Sequence, residues 1–154
     1  MLFRTTWDYF DDFSKFSNWL NKVSKQTVLI NSEAIIRWNL DKHYLKDLEQ
    51  NGVHVAETRF IERGTTDTLE ALHEQTGWQE TVLKPCVSGA ARHTYKLNAE
   101  TIAQHESIFK SLIQDEAMML QPFQYRIVFE GEISMMVFNG QFTHAILKKA
   151  KAGD

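Results

Sequence analysis

The feature that most limits what this chain can fold into is Asn139-Gly140, set between the strand-like runs EISMMVF (132–138) and QFTHAILKK (141–149). Asparagine and glycine tolerate the two positive-φ positions of a type I′ turn, whose twist matches that of the strands it joins. A tight hairpin requires antiparallel pairing, which excludes an all-helical bundle and a purely parallel sheet. An unbroken two-residue register sets Phe138 opposite Gln141 and Glu132 opposite Leu147. Side chains alternate along a strand, so Glu132, Ser134 and Lys149 would share one face, and Ile133, Met135, Val137, Phe142 and Ile146 the other. A carboxylate and an ammonium would then be aimed the same way. YRIVF, just before, reads as a further strand.

Upstream, helical and strand patterns alternate irregularly. Tyr9, Phe13, Phe16, Trp19, Leu20 and Val23 recur every three or four positions behind Asp8, Asp11 and Asp12, as in an amphipathic helix with acids at its positive end. TVLI (27–30) reads as a strand, and Asn31-Ser32 as the cap of a short helix through Ile35 and Ile36. Asp41 can cap another helix, with Lys42 in its first turn and Asn51-Gly52 as its stop. Residues 53–61 alternate partially. A helix through Leu69 and Leu72 stops at Gly77, strands follow at 79–84 and 93–97, then an Asn98-capped helix through Phe109 and Ile113 and a strand at 117–121. This order predicts an α+β fold.

Bulk properties narrow the partners. A chain of 154 residues can bury a core of ordinary size, and a net charge of -3 gives no general attraction to nucleic acid or anionic lipid. No run approaches the roughly 20 apolar residues of a membrane span. The single cysteine, Cys86, cannot form an intrachain disulfide and fits a reducing cytoplasm. P-loop and dinucleotide fingerprints are absent, and the six histidines show no H-E-x-x-H spacing. His73-Glu74 and His105-Glu106 read as helix-surface pairs, Cys86 as a small buried residue, and no metal ligands are predicted.

One stretch stands apart, TVLKPCVSGAARHTYKL (81–97). Val82-Leu83 and Pro85 fix the backbone of Lys84 at a strand end, and the low-bulk loop of Ser88, Gly89, Ala90 and Ala91 lets main-chain amides approach an anion. Amides of a tight turn with a lysine beside them suit a phosphate. Lys42 is a second candidate, because a cation at a helix start gains nothing from the helix itself.

Together RTTWDY (4–9), WNLDKHYL (38–45), VLKPCVSGAA (82–91), LQPF (120–123) and EGEISMMVFNGQFTHAILKKAKAGD (130–154) resemble, in order and spacing, the ATP-grasp ligases. The likeness is to the prokaryotic glutathione-synthetase-like branch, which includes a ligase of cycloserine biosynthesis. The resemblance implies an α+β ATP-grasp fold like the ATP-binding domain of glutathione synthetase, incomplete at both ends. It implies the end of a substrate lobe at 1–52, a first ATP-grasp lobe at 53–121, and the start of a second at 122–154. Lys42 and Lys84 match the lysines on the ATP phosphates, and loop 88–91 the loop that covers them. Gln121, Pro122, Phe123 and Gln124 match the adenine-reading hinge, and Glu132 the position that accepts from the ribose hydroxyls. Lys149, with Lys148 beside it, matches a basic residue near the transferred phosphate.

The activity implied is ATP-dependent joining of a small-molecule carboxylate to an amine or similar nucleophile through an acyl phosphate. ATP and Mg²⁺ are the implied cofactors. The family's Mg²⁺ ligands, an acidic residue and Glu-x-Asn, are expected beyond KKAKAGD, so this chain alone is expected to be inactive and to form the central piece of a ligase. The alternative is a non-catalytic nucleotide-binding or interaction module that needs a partner. A homo-oligomer is left open. The loop holds less glycine than is usual in the family, and Arg92 behind it is either an added phosphate ligand or an exposed residue.

Overall fold

The computed structural model describes residues 1–3 and 8–149. The first four residues of RTTWDY and positions 150–154 of the terminal KAKAGD lie outside them. Two compact units divide the chain, Met1–Pro122 and Phe123–Asp154.

The first unit opens with three helices, α1 (Phe13–Val23), α2 (Glu33–Leu40) and α3 (Tyr44–Gln50). Asp12 caps α1 by accepting from the Lys15 amide, and Ser32 caps α2 by accepting from that of Ile35. The segment predicted as a strand at 27–30 contributes only an isolated parallel bridge, Leu2 to Ile30. Four short apolar residues beside the N-terminus pair too briefly to make a ladder. Lys42 lies in the turn before α3 and not in its first helical turn, because Asp41 Oδ1 accepts from the His43 amide and holds that turn outside the helix.

Four strands follow: β1 (Arg59–Ile61), β2 (Thr81–Pro85), β3 (Tyr95–Leu97) and β4 (Met118–Pro122), with helices α4 (Leu69–Glu74) and α5 (Ile102–Asp115) between them. They form an antiparallel sheet in the order β1-β4-β2-β3. Residues that oppose one another share a face, so Ile61, Met118, Leu120, Leu83, Thr81 and Leu97 point to one side. Leu69 and Leu72 of α4 with Ile102, Phe109 and Ile113 of α5 complete a buried cluster there. Lys84, one residue on from Leu83, projects from the other face.

His73, expected on the helix surface, is buried in this core with Nδ1 3.0 Å from Thr81 Oγ1. Leu69 and Leu72 need one face of α4 inward, and His73 lies close enough to that face to be taken in once its polar ring has a partner. His105 is half-buried against Tyr95, and Glu106 accepts from the Leu69 amide, which ties α5 to the start of α4.

In the second unit YRIVF is not a strand but a five-residue helix, α6 (Tyr125–Phe129). Short apolar runs do not distinguish helix from strand. Here Arg126 donates twice to Glu130 four residues on, at 3.0 and 2.8 Å, and Gly131 at φ 94° ends the turn.

Strands β5 (Glu132–Phe138) and β6 (Gln141–Lys148) form the hairpin, with Phe138 opposite Gln141 and Asn139 and Gly140 at φ 50° and 76°. The predicted register fails two residues further on. Val137 opposes Phe142 but Met136 opposes His144, so Thr143 is an extra, bulged residue whose Oγ1 donates to Met136 O at 3.1 Å. Every later partner shifts by one: Glu132 faces Lys148, and Ile146 lies on the Ser134 face.

Candidate functional site

The two lysines singled out from spacing converge. Strand β2 carries Lys84 on the face away from the helices, and the turn at 41–43 delivers Lys42 beside it. The main chain fixes that approach, since the Lys42 amide donates to Cys86 O at 3.0 Å. Lys42 and Lys84 line one cavity of about 250 Å³ together with Ser88, Gly89, Ala90, Ala91 and Thr94. Burial, and then the proximity of Lys84, lowers the pKa of Lys42 from its ordinary value. Two ammoniums in one half-buried cavity repel each other.

The loop over this cavity is braced. Lys42 Nζ donates to Ser88 O at 2.8 Å and to Cys86 O at 3.4 Å, while Tyr9 Oη donates to Ser88 O at 3.4 Å. Burial, with a smaller effect from Tyr44, raises the Tyr9 pKa, which keeps the phenol a donor. Ser88 Oγ donates back to Arg92 O at 3.1 Å. Ala90, Ala91 and His93 all have positive φ, 49°, 57° and 49°, a conformation L-residues seldom adopt without surrounding constraint.

Arg92 is half-buried, not exposed. It donates twice to Glu116, 2.9 Å each, and lies outside the lysine cavity, anchoring the loop to the chain just before β4. Tyr9, Phe10, Thr94 and Glu116 were not legible as parts of the site. Tyr9, Phe10 and Glu116 reach it from distant segments, and no local spacing signals that, whereas Thr94 follows the loop by three residues.

The other predicted positions are distributed along the chain. Gln121 and Pro122 end β4, and the Gln121 amide nitrogen donates to Thr58 Oγ1 at 2.7 Å. Phe123 meets Tyr125 edge to face at 4.9 Å, and Gln124 precedes α6. In the hairpin the bulge gives Lys148, not Lys149, the place on the Glu132 face, with Nζ 3.7 Å from Glu132 Oε1. Lys149 follows the last strand residue. Cys86 is buried, and its thiol is pushed up to about 12, first by desolvation and then by Asp41 and Glu62, which is no setting for a nucleophile. A larger cavity of about 460 Å³, between α3, residues 55–60 and Trp78, contains neither Lys42 nor Lys84. No helix among the described residues is long and apolar enough to cross a membrane.

The fold defined by these elements is an ATP-grasp fold, of which the chain carries a part. Within that class the chain is similar to cycloserine synthetase. A family model described as the N-terminal domain of the D-cycloserine synthetase DcsG matches residues 1–31. The cycloserine biosynthesis protein DcsG of Streptomyces lavendulae is 31% identical over 157 aligned residues, which cover 97% of this chain and 52% of the relative. The crystal structure of D-cycloserine synthetase DcsG superposes with a TM-score of 0.87 at 28% identity, again over 97% of this chain and 52% of that one. The chain thus spans about half the length of the relative it matches.

Proposed function

We propose that this chain supplies the nucleotide site of an ATP-dependent ligase that joins a small-molecule carboxylate to an amine or a similar nucleophile. The observation that carries the reading is the meeting of Lys42 and Lys84, 42 residues apart in sequence, in one cavity under a low-bulk loop. In this reading the two ammoniums hold the ATP phosphates and the amides of loop 88–91 close over them. Gln121, Pro122, Phe123 and Gln124 border adenine, and Glu132 accepts from the ribose hydroxyls. Lys149, with Lys148 beside it on the Glu132 face, is the basic residue near the transferred phosphate.

The chemistry explains the cations. A carboxylate oxygen attacks the γ-phosphorus, the bond to the bridging oxygen of ADP breaks, and the resulting acyl phosphate is attacked by the nucleophile with loss of phosphate. Two anions approach each other in the first step, so fixed positive charge offsets their repulsion and steadies the moving phosphoryl group. Mg²⁺ would add to that charge, but the residues lining the lysine cavity include no carboxylate, so they do not fit Mg²⁺ and no step is assigned to it. A cytoplasmic location agrees with the single reduced cysteine.

Calorimetric titration with Mg-ATP tests the site. Wild-type protein is expected to bind, and Lys84→Ala to bind roughly tenfold or more weakly, the scale of a lost charge-assisted hydrogen bond. No heat with the wild type, or unchanged heat in the variant, sinks the reading.

A further inference from the structure

A second cluster lies behind the lysines. Asp41 and His43 flank Lys42 in the turn before α3, and Cys86 follows β2. One carboxylate oxygen of Asp41, one ring nitrogen of His43 and the Cys86 sulfur all lie within 4.8 Å of one another. One of these donors is buried without a partner. Cys86 is 1% exposed and its thiol makes no hydrogen bond among the described residues. His43 Nδ1 lies 2.6 Å from Asp41 Oδ1, and Nε2, across the ring, is a buried atom 3.3 Å from Glu62 Oε1. The positions are fixed by the Lys42 amide on Cys86 O, by the Cys86 amide on Ala117 O at 2.9 Å, and by the His43 ring stacked on Phe60 at 4.5 Å.

We propose that Asp41, His43 and Cys86 form a site for a borderline divalent transition ion of the Zn²⁺ or Co²⁺ kind, with Glu62 at its rim. One sulfur, one imidazole nitrogen and carboxylate oxygen make a mixed donor set that suits such ions and not Mg²⁺, which takes oxygen alone. Cys86 ligates as the thiolate, its proton passing to solvent. The charges facing it favour a cation: Asp41, Glu62 and the thiolate are negative, against the ammoniums of Lys42 and Lys46. The Asp41–His43 hydrogen bond, 2.6 Å without metal, is exchanged for metal bonds. Bound metal would tie the turn holding Lys42 to the end of the strand holding Lys84, so occupancy is expected to stiffen the nucleotide cavity. The site itself stands independently of the nucleotide reading.

The test is titration of the reduced protein with Co²⁺ alone, followed by displacement with Zn²⁺. The wild type is expected to give a thiolate-to-cobalt charge-transfer band that Zn²⁺ abolishes. Cys86→Ser and His43→Gln should lose the band, and Asp41→Asn should bind about tenfold more weakly or worse. Lys84→Ala should keep the band, which separates failure of this site from failure of the nucleotide site. Absence of the band in the wild type, or its persistence in Cys86→Ser, overturns the proposal. X-ray absorption of the wild-type Zn²⁺ form needs no variant to fold: sulfur among the nearest neighbours is expected, and a shell of nitrogen and oxygen alone overturns it.

Discussion

At the scale of the residue, the loop over the lysine cavity depends on what is absent at position 89. A Cβ built on Gly89 would lie 2.8 Å from Phe10 Cε1 and 3.3 Å from Cδ1. Gly89→Ala is expected to destabilise the first unit by about 1–2 kcal/mol, as overpacking does. Removing the ring in the same chain should return part of that loss, so a double-mutant cycle with Phe10→Ala should show coupling of at least about 0.5 kcal/mol. Additive effects in urea unfolding would show that the ring is not the obstacle. Lys84 was legible in the sequence because a lysine between an apolar strand and Pro85 has few ways to point. Phe10 was not, because nothing in MLFRTTWDYF says which aromatic ring will lie under a glycine 79 positions away.

At the scale of the element, the second unit shows where local pattern is sufficient and where it is not. The Asn139-Gly140 turn was readable because positive φ at both positions selects those residues. The bulge at Thr143 was not, since a threonine suits a regular strand as well as a bulged one. Helix α6 was misread because four apolar neighbours carry no period, and only the Arg126–Glu130 pair hinted at a helix. Gly131, between that helix and β5, has both a positive φ and no room: a Cβ there would meet Lys148 O at 2.6 Å and Leu147 Cδ1 at 2.9 Å. Gly131→Ala is expected to cost roughly 1–3 kcal/mol. Hydrogen exchange should accelerate in β5 and β6 while the amides of the first unit keep their protection. Uniform protection throughout would contradict this assignment of strain.

At the scale of the whole molecule, the α+β character was legible because strands and helices alternate irregularly along the sequence. The strand order β1-β4-β2-β3 was not, because antiparallel neighbours distant in sequence leave no local trace. Phe109, fully buried at the centre of the cluster that joins the sheet to α4 and α5, is the residue on which the first unit most depends. Phe109→Ala is expected to lose about 3–5 kcal/mol, read as a lower denaturation midpoint and faster proteolysis of that unit. A loss below about 1 kcal/mol would place the core elsewhere. The one-residue excess in β6 has a comparative consequence. In any relative whose ribbon is one residue shorter, the ammonium meeting the same carboxylate would sit one position nearer the turn. Matching such chains letter by letter would pair lysines that do different work, and only their sidedness would reveal the equivalent pair.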